Sequence, residues 1–288
     1  MSVTSETIGL QEMENALSDN LFQKFSELVY QKCGINLHEG KKALLQARLN
    51  KRLRASGLSS YRDYYQYLTT RGDDQELREF LDCISTNLTY FFRESQHFGF
   101  LDEVFLPELI EKKRREHSNR IRIWSAGCST GEEPYSLAMC VASHLKEVGQ
   151  WDFRILATDI STRVLDVATR GVYGPDKVEK VPPALRQRYF RRCDRNGANG
   201  DYEVSPLLKS IVTFRRLNLK EPFPFKGPFD CVFCRNVMIY FDKPTQENLI
   251  RKMAGYLDHG GHLFVGHSES LMGLDHPLTY VRPAIYRK

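Results

Sequence analysis

Residues Ile121–Pro134 read IRIWSAGCSTGEEP. The opening Ile121, Ile123 and Trp124 are β-branched and aromatic, which marks a buried strand. Small residues fill positions 125–131, with glycines at 127 and 131. Glu132, Glu133 and Pro134 then mark a helix start, and Tyr135, Leu137, Ala138, Val141 and Ala142 recur at helical spacing. Strand, small-residue turn and helix is how a parallel α/β sheet builds a nucleotide site, because glycines let a ligand approach the backbone. The same pattern also describes an ordinary turn with a capped helix.

The phosphate-binding form of such a turn, G-x-G-x-x-G, seats an anion on the helix N-terminus. Two carboxylates in the first helical turn suit the helix dipole but repel a pyrophosphate. A nucleoside with a cationic centre and no phosphate fits better, and S-adenosylmethionine, with its sulfonium and ammonium, is such a ligand. Downstream, Phe153–Ala157 reads as the next strand and ends in Thr158-Asp159. An acid there typically takes ribose hydroxyls; Asp159 is also placed to cap a helix over Ile160–Arg170. Phe229–Cys234 is a nearly continuous apolar run, as a central parallel strand should be, and leads into Arg235, Asn236 and Tyr240. Ligands of open α/β sheets lie beyond the carboxyl ends of the strands, so these three join Asp159 as candidates. His262–Gly266 and Tyr280–Tyr286 read as closing strands. The His267-Ser268-Glu269-Ser270 loop is too local for a hydrolase triad.

Upstream the pattern is helical. Residues 1–17 are polar and aperiodic and are expected to be poorly ordered. Ser18-Asp19-Asn20 caps a helix whose apolar face includes Leu21, Phe22, Phe25, Leu28 and Val29. A second helix, Gly40–Ser56, sets Leu44, Leu45, Leu49 and Leu53 on one face. Its other face carries Lys41, Lys42, Arg48, Lys51, Arg52 and Arg54, with no acid between 41 and 56. Such a face is either simply solvated or a dock for an acidic partner. Ser60–Leu68 and Asp74–Ser85 complete a small all-helical unit. Thr86–Phe92, TNLTYFF, followed by Arg93, is β-rich and aromatic and stands at the join of two units, where sites commonly form. Residues 191–217 hold Asn196-Gly197 and Asn199-Gly200, flanked by Tyr202–Val204 and Ile211–Phe214, and read as a small antiparallel hairpin insertion. Its edge offers a place for an added peptide strand.

Bulk properties exclude several classes. The 288 residues suffice for one large domain or two smaller ones. With 41 basic and 36 acidic residues the net charge of +5 is too mild and too evenly spread to indicate nucleic acid. No apolar run approaches the roughly 20 residues that cross a bilayer, and the N-terminus lacks a signal peptide's basic start and apolar core. A cytoplasmic protein is expected. The cysteines number seven, an odd count, and most lie in apolar runs, so they read as free buried thiols. Cys231 and Cys234 lie three apart on a strand and face opposite sides, so no metal site is expected there.

Several segments together resemble the chemotaxis receptor methyltransferases, the CheR family. They are TNLTYFFRE (86–94), STGEEPYS (129–136), TDI (158–160), NL (218–219), CRNVMIYF (234–241) and GHSE (266–269). Each motif alone is weak; the ordered set, within a resemblance running from about residue 18 to the end, is specific. The family methylates glutamates of bacterial chemoreceptors with S-adenosylmethionine, giving methyl esters and S-adenosylhomocysteine for chemotaxis adaptation.

The resemblance implies an α/β fold: a Rossmann-like class I methyltransferase sheet over 86–288, with a small antiparallel β insertion at about 191–217, behind an all-helical N-terminal domain over 18–85. It implies that Asn87, Thr89, Arg93, Glu133, Asp159, Asn218, Leu219, Arg235 and Asn236 contact the cofactor, with Arg93 and Tyr240 near the reacting centre. It implies the cytoplasmic domains of chemoreceptors as partners, no nucleic acid, and in some members a receptor C-terminal peptide held on the β insertion. A monomer using no metal is expected. The basic face at 41–54 then meets acidic receptor helices, and Cys128 leaves a thiol beside the cofactor. A nucleic-acid methyltransferase of the same fold is one alternative, although amine-directed enzymes commonly carry Asn/Asp-Pro-Pro-Tyr where Arg235-Asn236-Val237-Met238 stands. A non-catalytic cofactor-binding scaffold is the other.

Overall fold

A computed structural model of the chain describes residues 16–71, 74–145, 147–195 and 198–288. Residues 1–15 of the expected disordered tail and the Asn196-Gly197 turn lie outside the described residues; Leu17, from the same tail, is buried. The chain divides into two compact units. One runs to Thr86 and includes Tyr240–Asp242; the other comprises Asn87–Ile239 and Lys243–Lys288. Among the described residues no helix is long and apolar enough to cross a membrane.

The first unit is helical: α1 (Asp19–Cys33), α2 (Lys42–Ser56), α3 (Tyr61–Gln66) and α4 (Asp74–Ile84). Ser18 Oγ accepts the Leu21 N–H at 3.3 Å, which satisfies one of the donors a helix start leaves unpaired. Phe25, Tyr64 and Phe80 form the centre, with ring centroids 5.8–6.3 Å apart. In α2 Leu45, Leu49 and Leu53 are buried, an i, i+4, i+8 stripe. Leu44, expected on the same face, lies beside that stripe and is 40% exposed. The basic face is thinner than its sequence. The Arg52 guanidinium grips Glu76 of α4, with Nη2–Oε2 at 2.7 Å and Nε–Oε1 at 3.1 Å. Arg48 donates to Ile84 O and to Thr86 Oγ1, and Lys42 pairs with Asp19. Lys41, Lys51 and Arg54 stay exposed. From far along the chain, Tyr240 joins this unit through its carbonyl, which accepts the Asn36 N–H at 2.8 Å.

The second unit is built on β1 (Arg120–Ala126), β2 (Asp152–Asp159), β3 (Val172–Tyr173), β4 (Phe190–Arg195), β5 (Ala198–Val204), β6 (Val212–Arg216), β7 (Phe229–Cys234), β8 (Leu257–Val265), β9 (Thr279–Arg282) and β10 (Ile285–Arg287). Its helices are α5 (Ser95–Phe100), α6 (Leu106–Arg115), α7 (Glu132–His144), α8 (Thr162–Arg170), α9 (Pro175–Val178), α10 (Pro183–Tyr189), α11 (Pro206–Ile211) and α12 (Lys243–Tyr256). Seven strands form one sheet in the order β6-β2-β1-β7-β8-β10-β9. All neighbours pair parallel except β10, which is antiparallel to both β8 and β9. β7 is buried along its whole length, which explains a sequence that is apolar but for Asp230. Trp124 of β1 is fully buried among Phe223, Phe225 and Phe229, and its indole N–H donates to Thr158 Oγ1 at 2.9 Å.

From β1 the chain steps outward to β2 and β6, then crosses to the other side of β1 for β7 and β8. The order therefore reverses between β1 and β7, and a crevice outside the carboxyl ends at that point is where such sheets hold ligands.

Three expectations are corrected. Val212–Arg216, read with the hairpin insertion, is the outermost parallel strand of the large sheet, paired with β2. The small sheet is instead β3-β5-β4, a hairpin joined by a two-residue strand from earlier in the chain. Thr86–Phe92 forms no strand: Phe92 takes φ of 55°, which the β region excludes. The closing Tyr280–Tyr286 stretch splits into two strands, β9 and β10.

Candidate functional site

The turn after β1 folds back on the end of β2. Gly127 and Cys128 both donate their N–H to Thr158 O, at 2.7 and 2.9 Å. Gly127 has φ of 82°, and a Cβ there would lie 2.3 Å from Val237 Cγ2 in the loop after β7, so only glycine closes the crevice this tightly. Asp159, 8% exposed, accepts the Ser129 N–H at 2.8 Å and the Ser161 N–H at 3.0 Å. The cap of α8 is Ser161, whose Oγ accepts the Val164 N–H, so the capping role considered for Asp159 belongs two residues later. Asp159 holds the turn instead. Thr130 O accepts the Tyr173 hydroxyl at 2.7 Å, and the fully buried Glu132 carboxylate meets Lys177 Nζ at 2.6 Å.

Arg235, just past β7, gathers the second half of the site. Its side chain is 1% exposed. Nη1 lies 3.2 Å from Glu133 Oε2, Nη2 lies 3.1 Å from Glu94 Oε2, and Nη2 also donates to Arg93 O. Ser125 Oγ, on β1, donates to Glu133 Oε1 at 2.7 Å. Asn236 Nδ2 donates to Glu94 Oε1 at 3.2 Å, and the His267 N–H reaches the same carboxylate at 3.3 Å. Phe92 N–H donates to Ser136 Oγ on α7 at 3.0 Å.

Backbone strain marks the same place. Among the described residues the non-glycine positions with positive φ are Phe92, Glu94, His117, Ser129, Asn236 and Ala284. Four of these six, Phe92, Glu94, Ser129 and Asn236, belong to the segments just described. Each costs on the order of 1–3 kcal/mol and persists only where surrounding contacts fix it, which is characteristic of functional sites.

Titration follows from burial and charge. Burial pushes the Glu133 carboxyl up, against the pull of Arg235 and the Ser125 hydroxyl. Burial acts the same way on Glu94, but Arg235 and the Asn236 amide outweigh it and hold that carboxyl below its usual range. His97, buried beside them, is depressed to about 3 by burial and by Arg235, so its ring is neutral. Burial, with Asp159 and Glu133 nearby, pushes the Cys128 thiol well up, so the thiol in the turn is an inert packing group. Glu94, His97 and His267 bring donor atoms within 4.8 Å of one another, an arrangement compatible with a metal ion. The Glu94 oxygens are already taken by Arg235, Asn236 and the His267 N–H.

Of the residues singled out in the sequence, Arg93, Glu133, Arg235 and Asn236 meet around Glu94. Asn87 O accepts the Ser129 Oγ hydrogen bond at 3.0 Å, beside Asp159, and Thr89 is half-buried nearby in sequence. Arg93 Nη1 donates to Leu88 O at 2.8 Å. Asn218 is buried after β6, its Oδ1 accepting the Lys220 N–H at 3.2 Å, and Leu219 O accepts Lys252 Nζ. Tyr240 and the six basic residues of 41–54 lie in the helical unit. The sequence reading gave no role to Ser161, nor to Glu94, Ser136 and Glu269, although these three stand in the matched segments. Ser161 had a local signal, a serine before a helical apolar pattern; the other three act across long sequence separations.

A S-adenosylmethionine-binding profile of CheR methyltransferases matches residues 87–286, and the all-alpha domain profile of the same enzymes matches 20–85. The chain belongs to the CheR methyltransferase family. It is 42% identical over 276 residues to a chemotaxis protein methyltransferase of Borreliella burgdorferi, covering 95% of each chain. It is 40% identical over 273 residues to the chemotaxis protein methyltransferase of Escherichia coli K12, covering 94% of this chain and 91% of that one. As a CheR methyltransferase domain, the second unit is a S-adenosylmethionine-binding fold. The donor set fits that cofactor: Asp159 at the end of β2, with Glu133 and Glu94 around Arg235 just past β7, gathers carboxylates beyond the carboxyl ends of the central strands, which suits a cationic sulfonium nucleoside.

Proposed function

We propose that this protein transfers the methyl group of S-adenosylmethionine to glutamate side chains of chemoreceptor cytoplasmic domains, acting as a cytoplasmic monomer. The observation that carries the reading is the strained, carboxylate-rich cluster of loops beyond the carboxyl ends of the central strands, where the sheet order reverses. When bound, S-adenosylmethionine supplies an electrophilic methyl group. A glutamate carboxylate is already ionised at neutral pH and is its own nucleophile, so no general base is needed. One of its oxygens takes the methyl carbon as the carbon–sulfur bond breaks, giving a neutral methyl ester and S-adenosylhomocysteine with no proton released.

The chain's contribution is orientation and exclusion of water. Aligning two bound reactants supplies about 7–11 kcal/mol of a barrier. Asp159 is assigned to the ribose hydroxyls, with Asn87, Thr89, Asn218, Leu219 and Asn236 completing the cofactor's surroundings. Arg235, whose donors already meet Glu133, Glu94 and Arg93 O, acts by holding those groups in register. Arg93 is assigned to orient carboxylates and Tyr240 to bound the methyl group, both on the resemblance of 86–94 and 234–241. The transfer written this way needs no metal ion, because the nucleophile is already ionised. Strand β4 is an edge with Arg191 and Arg192 exposed, and is the candidate seat for a receptor's C-terminal peptide, whose carboxylate they complement.

The test is transfer of labelled methyl from S-adenosylmethionine to receptor-bearing membranes, followed by mild alkali. The expected result is label released as methanol, the signature of a carboxyl ester. Label that survives alkali, or label found in nucleic acid, contradicts the reading.

A further inference from the structure

Glu269 is a buried carboxylate, 6% exposed, with no lysine or arginine paired to it among the described residues. Its partners are backbone amides. Oε2 accepts the N–H of Asn236 and of Gly266, both at 2.6 Å, and Oε1 accepts the Ile239 N–H at 3.1 Å. Met238 contributes a further backbone hydrogen bond. A carboxylate offers about four lone-pair positions, so this one is filled. Its donors come from Asn236, Met238 and Ile239, in the loop that leaves β7, and from Gly266, just after β8. A Cβ on Gly266 would lie 2.5 Å from Asn236 Nδ2 and 2.7 Å from Glu269 Oε2, so the closure also requires a glycine there.

We infer that Glu269 is a positioning residue for the methyl transfer: it clasps the Arg235–Ile239 loop in the conformation that presents Asn236 to the cofactor and aims Arg235 at Glu133 and Glu94. Asn236 sits at φ of 58°, which an isolated turn would relax. Two anchors hold it, the Glu269 bond to its N–H and the Glu94 bond to its side chain. An amide cannot replace the clasp, because one oxygen becomes an NH2 that faces N–H donors. The inference rests on the methyltransferase reading for its consequence but not for its geometry.

The test is Glu269→Gln in the full chain, read by circular dichroism, calorimetric S-adenosylhomocysteine binding and initial rates on receptor membranes. The expected result is a folded protein whose cofactor affinity falls about 10-fold and whose kcat falls about 100-fold, the size of effect that small misplacements produce. Glu269→Asp, which keeps the charge, recovers part of the loss. The double variant with Asn236→Ala is no worse than Asn236→Ala alone, because both act through one element. A folded Glu269→Gln protein with kcat within about twofold of the wild type, or fully additive losses, overturns the inference. If that variant does not fold, amide hydrogen exchange on the wild-type chain decides. Protected amides at Asn236, Ile239 and Gly266 support the clasp, and rapid exchange there overturns it. A wild type that transfers no methyl while these amides stay protected contradicts the methyltransferase reading and leaves the clasp standing.

Discussion

At the amino ends of the central strands, buried acid is matched by buried base. Lys113 Nζ lies 2.6 Å from Asp230, both side chains under 10% exposed, and Asp230 also accepts the Arg122 N–H at 2.8 Å. At the carboxyl ends, Asp159 and Glu269 accept the amides of turns, and the guanidinium of Arg235 is shared among Glu133, Glu94 and a carbonyl. The first arrangement closes a sheet against water. The second holds loops in conformations they would not choose, including the positive φ of Ser129 and Asn236. Damage at one end should therefore appear in stability, and at the other in binding and rate.

The sharpest break of that division is Lys113→Met. Removing one partner of a buried pair leaves Asp230 uncompensated and costs about 3–5 kcal/mol, or roughly 6–20 °C in Tm for a chain of this size. Scanning calorimetry should find that loss, while kcat of the folded fraction at 25 °C stays within about twofold. A fall in kcat without a fall in Tm would erase the distinction. Asp159→Asn should behave oppositely. Losing hydrogen bonds to a charged group is worth about 1.5–3 kcal/mol, so S-adenosylhomocysteine affinity should weaken about 10- to 100-fold with a smaller change in Tm.

His262 sharpens the amino-end half. Its ring packs against Phe100 and Phe105, its Nδ1 has no hydrogen-bond partner among the described residues, and burial together with Arg287 lowers it from 6.5 to about 4. As pH falls, the unfolded chain takes up this proton before the folded one does. The stability present above pH 6.5 is thus lost between about 6.5 and 4, and from pH 7 to 5 the loss is about 2 kcal/mol. Thermal melts of His262→Phe should show a shallower pH slope than the wild type over that interval. The smallest effect belongs to the helical unit. Lys51→Glu with Arg54→Glu should raise KM for receptor about fivefold and leave cofactor affinity unchanged, whereas Arg52→Glu should lower Tm because it breaks the Glu76 pair.

Much of this arrangement was legible. The runs at 121–124, 153–157 and 229–234 are strands because a central parallel strand is largely apolar on both faces, and of the small residues at 125–131 the first two end β1 and the rest form the turn, where Gly127 meets Val237. Asp159 was found by its place after a strand. TNLTYFF was misread because its β-propensity yields to tertiary contacts: Ser136 holds Phe92 N–H, and Arg235 holds Glu94. Val212–Arg216 was assigned to the wrong sheet because five residues carry no sign of which partner they will meet. The basic face was overcounted because Glu76, which takes Arg52, lies outside the helix whose charges were read. Glu269 stood in the GHSE segment without a role of its own, since the amides it holds at 236 and 239 lie about 30 residues away.

The most direct measurement compares the two ends in one experiment: hydrogen exchange by mass spectrometry on the full chain, with and without S-adenosylhomocysteine. Added protection should fall on peptides covering 127–131, 158–161 and 235–239, and leave 108–115 and 259–261 unchanged. Protection concentrated at the amino ends, or none at saturating nucleoside, would contradict the assignment of the carboxyl-end crevice as the cofactor site.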